Sequence, residues 1–272
     1  MSLDLRKYDA SSEIERVGRA LEVRFDRQTE VRKRRSVGFR THRDTWVRVE
    51  QQPMSRFVRR GNDGVERSVI LRGVARPEWH QAVSWVDRAN DRVWRADETE
   101  FIPAKSVIPW GVLREAPDLS AVWWQRLDES LDALSTQETT RVAVRQQRID
   151  DGITAMFRGL DTTVDEWATA HGDFYWQNLT APEFCILDWE DWGVAPRGWD
   201  AASLWHNSLL VPALADRIYR ERGADLDSRS GLLCQLMRCA EILTAPAGYA
   251  DDFVEPSKIH AQRIIDQLTS PS

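Results

Sequence analysis

Apolar positions along the chain change period several times. Residues 11–22 open with Ser11-Ser12, then place Ile14, Val17, Ala20 and Leu21 on one side of a helix. Thr45–Glu50 alternates instead, which predicts a strand; Val37–Arg40 precedes it, with His42-Arg43-Asp44 as a turn candidate. Ser68–Val74 reads as a further strand. Pro77–Val86 reads as a helix with proline in its first turn, and Arg92–Ala96 and Phe101–Ala104 as strands again. From Asp118 the period is helical, with Leu119, Val122, Trp123, Leu127, Leu131 and Leu134 on one face, Trp123 inward and Trp124 at a flank. Thr139–Phe157 continues that pattern through Val142, Val144, Ile149, Ile153 and Phe157. Two short apolar runs follow, Trp167–Ala170 and Phe184–Leu187, which predict a hairpin-like pair of strands. Beyond Pro196 come three helix-length segments, Asp200–Arg222, Gly231–Leu243 and Pro256–Leu268, and then a short Ser/Pro tail.

A strand-rich first part with one inserted helix and a helical second part describe an α+β chain. Its 272 residues are enough to bury a sizeable core as one domain or two lobes. The 13 tryptophans supply large core anchors. The net charge of −6 and pI near 5.5 give no warrant for nucleic-acid binding. The charge is unevenly spread: residues 1–100 carry +5 and the remainder −11. That asymmetry suits phosphates on the first part and a cationic substrate on the second, and equally suits solvated faces of unequal sign. Cys185, Cys234 and Cys239 are few, odd in number and without a Cys-x-x-Cys, which excludes a disulfide framework. The five histidines show no metal-ligand spacing. No apolar run reaches membrane length and the Met1–Lys7 start has no signal-peptide core, so the expectation is a cytoplasmic protein without a membrane partner.

The chemistry gathers around His171-Gly172-Asp173-x4-Asn178 and Ile186-Leu187-Asp188-Trp189-Glu190. Phosphoryl transfer asks for a carboxylate that orients an attacking hydroxyl or accepts its proton. It also asks for oxygen ligands that hold Mg²⁺ against nucleotide phosphates. Asp173 suits the first role, Asn178 and Asp188 the second. His171 reads as a brace for the loop and Gly172 as a close-packing position. Glu190 and Asp191 face either substrate or solvent.

The pair His-Gly-Asp-x4-Asn and Ile-Leu-Asp-Trp-Glu resembles the aminoglycoside phosphotransferase and choline kinase branch of the protein-kinase-like fold, specifically over residues 165–205. Val194–Ala202 loosely matches the stretch that follows in that family, where Asp200 would steady the catalytic loop. The resemblance implies an α+β, bilobal protein-kinase-like fold. A small, mainly antiparallel β N-lobe, residues 1–103, would lie on the nucleotide side. A larger helical C-lobe, residues 104–272, would hold the catalytic loop, metal site and acceptor pocket, with the hinge near residues 102–117. It further implies ATP or GTP with Mg²⁺ as cofactors and the hydroxyl of a small molecule as acceptor. The basic residue expected on the third strand falls on Arg48, its helix-borne partner on Glu78, with Glu66 as runner-up. No Gly-x-Gly-x-x-Gly is present, and the nearest phosphate-covering stretch is Ser36-Val37-Gly38. That departure keeps two other readings open: a kinase-like enzyme acting on peptide Ser/Thr in a natural-product pathway, and a pseudokinase-like binding protein.

Overall fold

The structure, a computed structural model, describes residues 3–270; Met1-Ser2 and the final Pro271-Ser272 of the Ser/Pro tail lie outside the described residues. The chain divides into two compact units. One runs to Ile70 and resumes from Arg76 to Pro103; the other takes Leu71–Ala75 and everything from Ala104 onward.

The first unit starts with helix α1 (Ser11–Ala20) and builds a five-stranded antiparallel sheet. Its strands are β1 (Phe25–Arg32), β2 (Ser36–Thr41), β3 (Thr45–Pro53), β4 (Trp79–Asp87) and β5 (Arg92–Glu100), in the spatial order β1-β2-β3-β5-β4. Two short helices, α2 (Met54–Arg60) and α3 (Gly64–Arg67), follow β3. Alternation decides what each face of the sheet does. Val37 and Phe39 of β2, Val47 and Val49 of β3, and Trp94 and Ala96 of β5 turn to one side and bury against Ile14 and Val17 of α1. The intervening residues Arg48, Glu50, Arg95 and Asp97 take the opposite face, where Arg48 lies opposite both Gly38 and Asp97.

The segment expected to be a helix at Pro77–Val86 is strand β4. Trp79, Val83 and Val86 fit a helical face, but Val83 and Trp85 fit a strand face, and the sheet selects the second set. Each residue from Gln81 to Asp87 pairs with β5, and Trp85 stacks on Trp94 at 5.9 Å. Val86 is left 47% exposed, as strand alternation requires. Ser68–Val74 is not a strand: a 3-10 turn, Ser68–Ile70, leads into unpaired chain. There Leu71 enters the core of the second unit, and Ala75 donates to Ser130 Oγ (3.2 Å) and accepts from the Ile186 N–H (2.9 Å). Phe101–Ala104 is likewise irregular; β5 ends at Glu100, and Phe101 packs against Trp46 and Arg40.

The second unit has short strands β6 (Lys105–Ser106), β7 (Trp167–Ala170), β8 (Thr180–Ala181) and β9 (Gly193–Pro196) among helices α4 (Ala121–Ser135), α5 (Gln146–Thr154), α6 (Trp199–His206), α7 (Pro212–Glu221), α8 (Gly223–Leu226), α9 (Arg229–Leu243) and α10 (Asp251–Thr269). Helix α4 begins later than Asp118 because Ser120 caps it, accepting the Trp123 N–H at 3.2 Å. Trp123 and Trp124 are both buried, and Val122 is exposed. Burying an aromatic side chain of this size stabilises by roughly 2–3 kcal/mol. Helix α5 is much shorter than Thr139–Phe157. Its expected first turns are extended, with the N–H groups of Ala143 and Val144 both directed to the Val194 carbonyl. The long helix expected from Asp200 breaks after His206 and restarts with Pro212 in the first turn of α7. Helix α9 packs between α6 and α10 and buries nearly every residue from Ser230 to Ala240. Among the described residues, no helix is long and apolar enough to cross a membrane.

Candidate active site

Strand β7 pairs antiparallel with β9, ending at Ala170 opposite Gly193. The expected hairpin with Phe184–Leu187 does not form; that run makes a single bridge, Ile186 to Leu179. The two acidic loops still meet, because three backbone contacts cross between them. Leu187 N–H donates to the Asn178 carbonyl at 2.7 Å, Thr180 N–H donates to the Cys185 carbonyl at 3.0 Å, and Gly172 backs onto the Asp191 carbonyl.

The loop leaving β7 is held from below. The buried carboxylate of Asp200, near the start of α6, accepts the His171 N–H at 2.6 Å and the Gly172 N–H at 3.0 Å. Burial raises the Asp200 pKa, against the opposing pull of His171 and the two backbone donors. Trp199 Nε1 donates to the Gly172 carbonyl at 3.0 Å. Gly172 has φ +86, and a Cβ there would meet the Asp191 carbonyl at 3.0 Å, so glycine is demanded twice over. His171 is fully buried, with Nε2 at 2.9 Å from the Leu187 carbonyl and no partner at Nδ1 among the described residues. A carbonyl only accepts, so the proton is assigned to Nε2, and the ring ties one loop to the other.

Within the loop, Phe174 and Trp176 are buried in the core, and Trp176 Nε1 donates to Ser208 Oγ at 2.9 Å. Asp173, just before Phe174, is left on the outer side of the loop. Asp173 presents more than a third of its surface to solvent, yet its carboxylate is partly desolvated. That desolvation, with Asp188 as the nearest like charge, raises its pKa. Asn178 Nδ2 donates to the Asp173 carbonyl at 2.8 Å and to its carboxylate at 3.2 Å. This leaves the Asn178 amide oxygen free to turn away from Asp173. Asp188 has φ +67, a left-handed conformation uncommon outside glycine that aspartate tolerates better than most residues. Asp173, Asn178 and Asp188 therefore share one corner of the second unit.

This corner suits a hard divalent cation. As ligands, the Asp188 carboxylate and the Asn178 amide offer oxygen, and the nearby Asp173 carboxylate adds a second negative charge to the corner. Among the described residues, no group of three or more His, Cys, Asp or Glu side chains forms a closed metal cage. Mg²⁺ sites of the kind completed by phosphates and water need only one or two protein ligands.

The first unit corrects two expectations. Glu78 is on no helix: it precedes β4, its carbonyl accepts the Glu100 N–H at 2.7 Å, and its own N–H donates to the Glu100 carboxylate at 3.2 Å. The acid that a helix does supply is Glu66 of α3, and the arginine it pairs with is Arg95, at 3.0 Å. Arg95 is also bidentate to Asp97, at 2.6 and 2.7 Å. Arg48 is on β3 as expected and forms an ion pair with Glu50 at 3.3 Å. Gly38 lies inside β2 and not in a loop. A Cβ there would stand 2.2 Å from the Trp46 ring, so the glycine makes room for an indole. The turn between β1 and β2 contains Lys33, Arg34 and Arg35 and no glycine.

Two residues escaped sequence reasoning. Arg141 donates to the backbone carbonyls of Glu190 (3.0 Å) and Trp192 (3.1 Å), bracing the loop that follows Asp188. Arg238, in the buried face of α9, lies against Trp199 and Tyr175.

No protein-family model and no curated protein sequence matches the chain. Solved structures do match. An aminoglycoside 2′-phosphotransferase-IIIa bound to GDP aligns with TM-score 0.59 at 12% identity, over 94% of this chain and 98% of that one. The chain has the protein-kinase-like fold of that enzyme. A thermostable mutant of aminoglycoside phosphotransferase APH(4)-Ia, with ADP and hygromycin B, aligns with TM-score 0.56 at 10% identity, over 96% and 99%. Amicoumacin kinase hAmiN, with AMP-PNP and Ca²⁺, aligns with TM-score 0.55 at 10% identity, over 96% and 95%. The expected α+β kinase-like architecture is thus present, with the five-stranded antiparallel sheet in the first unit and most of the helix in the second.

Proposed function

We propose that this chain transfers a phosphoryl group from ATP or GTP to a hydroxyl of a small molecule. The observation that carries the reading is the hydrogen-bonded junction of Asp173, Asn178 and Leu187-Asp188. In this reading Asp173 orients the acceptor hydroxyl and takes its proton on the carboxylate. Asp188 and the Asn178 amide oxygen hold Mg²⁺, which when bound neutralises charge on the nucleotide phosphates. Arg48 is the candidate cation of the first unit for those phosphates, replacing the more usual lysine with a fork that can bind two oxygens. Solved neighbours in complex with GDP, ADP or AMP-PNP support nucleotide use, and those with hygromycin B or kanamycin support a small-molecule acceptor. The acidic balance of the chain beyond residue 100 favours a cationic acceptor.

A second reading, nucleotide binding without turnover, draws on the first unit. Arg95 is committed to Asp97 and Glu66, Arg48 to Glu50, and the β1–β2 turn lacks glycine. Thermal unfolding with ATP, GTP and ADP, each with and without Mg²⁺, tests both. A ligand that binds only the native state raises the transition by an amount set by its concentration over Kd. A Mg²⁺-dependent rise lost in Asp188→Ala, followed by turnover of an acceptor, supports the enzyme. The same rise with no phosphoryl transfer to any hydroxyl compound supports the binding protein. No rise at millimolar nucleotide removes both.

A further inference from the structure

Arg238 is 3% exposed, flanked in α9 by buried Leu236, Met237, Cys239 and Ala240. Its guanidinium stands 4.0 Å from the Trp199 ring centre and 5.7 Å from that of Tyr175. It donates to Ser203 Oγ at 2.7 Å and to Glu241 at 2.8 Å, and its Nε has no partner among the described residues. The compensating charge is modest. Glu241 is itself 35% exposed and shared with Arg148, which contacts it at 3.1 Å. An arginine buried this deeply stabilises a fold little, since a hydrophobic side chain of similar volume often serves as well or better. The ion pair by itself therefore gives no account of why a cation stands here.

Its contacts supply one. Trp199 holds the Gly172 carbonyl, and its neighbour Asp200 holds the N–H groups of His171 and Gly172. Ser203 links back to the same turn, donating to the Trp199 carbonyl at 2.8 Å. Tyr175 belongs to the loop itself, two residues past Asp173. Arg238 thus touches the platform beneath the loop and the loop's own ring. A flat guanidinium can lie against aromatic rings while its edge donates hydrogen bonds, and neither lysine nor methionine can do both.

We propose that Arg238 is a positioning residue for phosphoryl transfer, fixing the loop that carries Asp173 by packing against Trp199 and Tyr175 together. The proposal rests on the phosphotransferase reading of the site, and its test separates the two. Arg238→Met and Arg238→Lys are compared with the parent chain at full length by three measurements: urea unfolding, hydrogen exchange of the backbone amides from His171 to Tyr175, and Mg·ATP hydrolysis without acceptor. Arg238→Met is expected to unfold near the parent midpoint while its loop amides exchange faster. Its kcat should fall on the order of 100-fold with KM for Mg·ATP little changed, as displaced catalytic groups show. Arg238→Lys should recover little of either. Loop exchange unchanged in a folded Arg238→Met overturns the proposal, as does full recovery by lysine. If Arg238→Met fails to fold, Tyr175→Leu removes the loop side of the contact, and unchanged exchange in that variant is equally decisive. A parent chain that hydrolyses no ATP and shows no Mg²⁺-dependent nucleotide binding removes the phosphotransferase reading. The exchange measurement still decides whether Arg238 holds the loop.

Discussion

Leu187 donates its backbone N–H to the carbonyl of Asn178 at 2.7 Å, so the main chain brings the two proposed metal ligands, Asn178 and Asp188, side by side. Asp188 then turns through a left-handed φ of +67. Asparagine adopts that conformation readily, whereas alanine does not. Asp188→Asn therefore tests the charge with little backbone cost, and Asp188→Ala adds strain of about 1 kcal/mol. Both are expected to lose turnover by several powers of ten, because this chemistry rests on positioning and charge stabilisation. Asp188→Asn should keep its unfolding temperature without ligand and lose the rise caused by Mg²⁺ with nucleotide. Near-normal turnover in Asp188→Asn would remove Asp188 from the metal site.

Asp200 gives a prediction of a different kind. Its two oxygens each accept one backbone N–H, from His171 and Gly172. Asparagine can accept only one of these and sets its NH₂ against the other donor. The unpaired buried donor costs about 1–3 kcal/mol, visible as a lower urea midpoint. Loss of activity should exceed what the unfolded fraction explains, since the displaced residues lead directly into Asp173. Activity that tracks the folded fraction alone would reduce Asp200 to a purely structural residue.

The meeting of Asp173, Asn178 and Asp188 in one corner was legible because its spacing is local. Asp173 and Asn178 are five residues apart, and each loop follows a short apolar run, so the residue types and their order carried the chemistry. The first unit was less legible. Trp79, Val83 and Val86 satisfy a helical period and Val83 and Trp85 a strand period; only pairing with Arg92–Asp97 decides between them. Gly38 resembled a phosphate-loop glycine because its actual neighbour, Trp46, is distant in sequence and reaches it across the β2–β3 pairing. Arg238 left one signal, a lone cation within Leu232–Ala240, and nothing local says that it lies against Trp199.

Gly38→Ala separates packing from ligand contact. The added Cβ would stand 2.2 Å from the Trp46 ring, inside any allowed contact. Overpacking of this sort costs about 1–3 kcal/mol. Trimming the ring in a Gly38→Ala/Trp46→Leu double variant should return part of that stability, because the two residues share one space. Equal destabilisation by Gly38→Ala in both backgrounds would show that the ring is not what the methyl meets.

Acid sensitivity follows from His206 at the end of α6. Its ring is buried, stacks on Phe253 at 5.6 Å and places Nε2 3.1 Å from Ser257 Oγ. Burial, with Arg238 nearby and only Glu241 opposing, pulls its pKa down to about 3. The unfolded chain takes up that proton near pH 6.5. Between these values the unfolded state binds a proton that the native state refuses, so stability falls as pH drops, by up to about 1.4 kcal/mol per pH unit. His260, also lowered by burial, acts in the same direction. Glu241, driven upward by burial but held below its ordinary value overall by Arg238 and Arg148, loses its contribution only at lower pH. Asp173 and Asp200, whose pKa values are raised, act in the opposite direction, so the difference in slope between the parent chain and a non-titrating His206 variant is what reports on His206. Between pH 6.5 and 5, urea midpoints should fall more, per pH unit, in the parent chain than in His206→Gln, which keeps a hydrogen-bonding group for Ser257 but does not titrate. Identical slopes would mean that His206 is solvated or charged in the native state, contrary to its burial between α6 and α10.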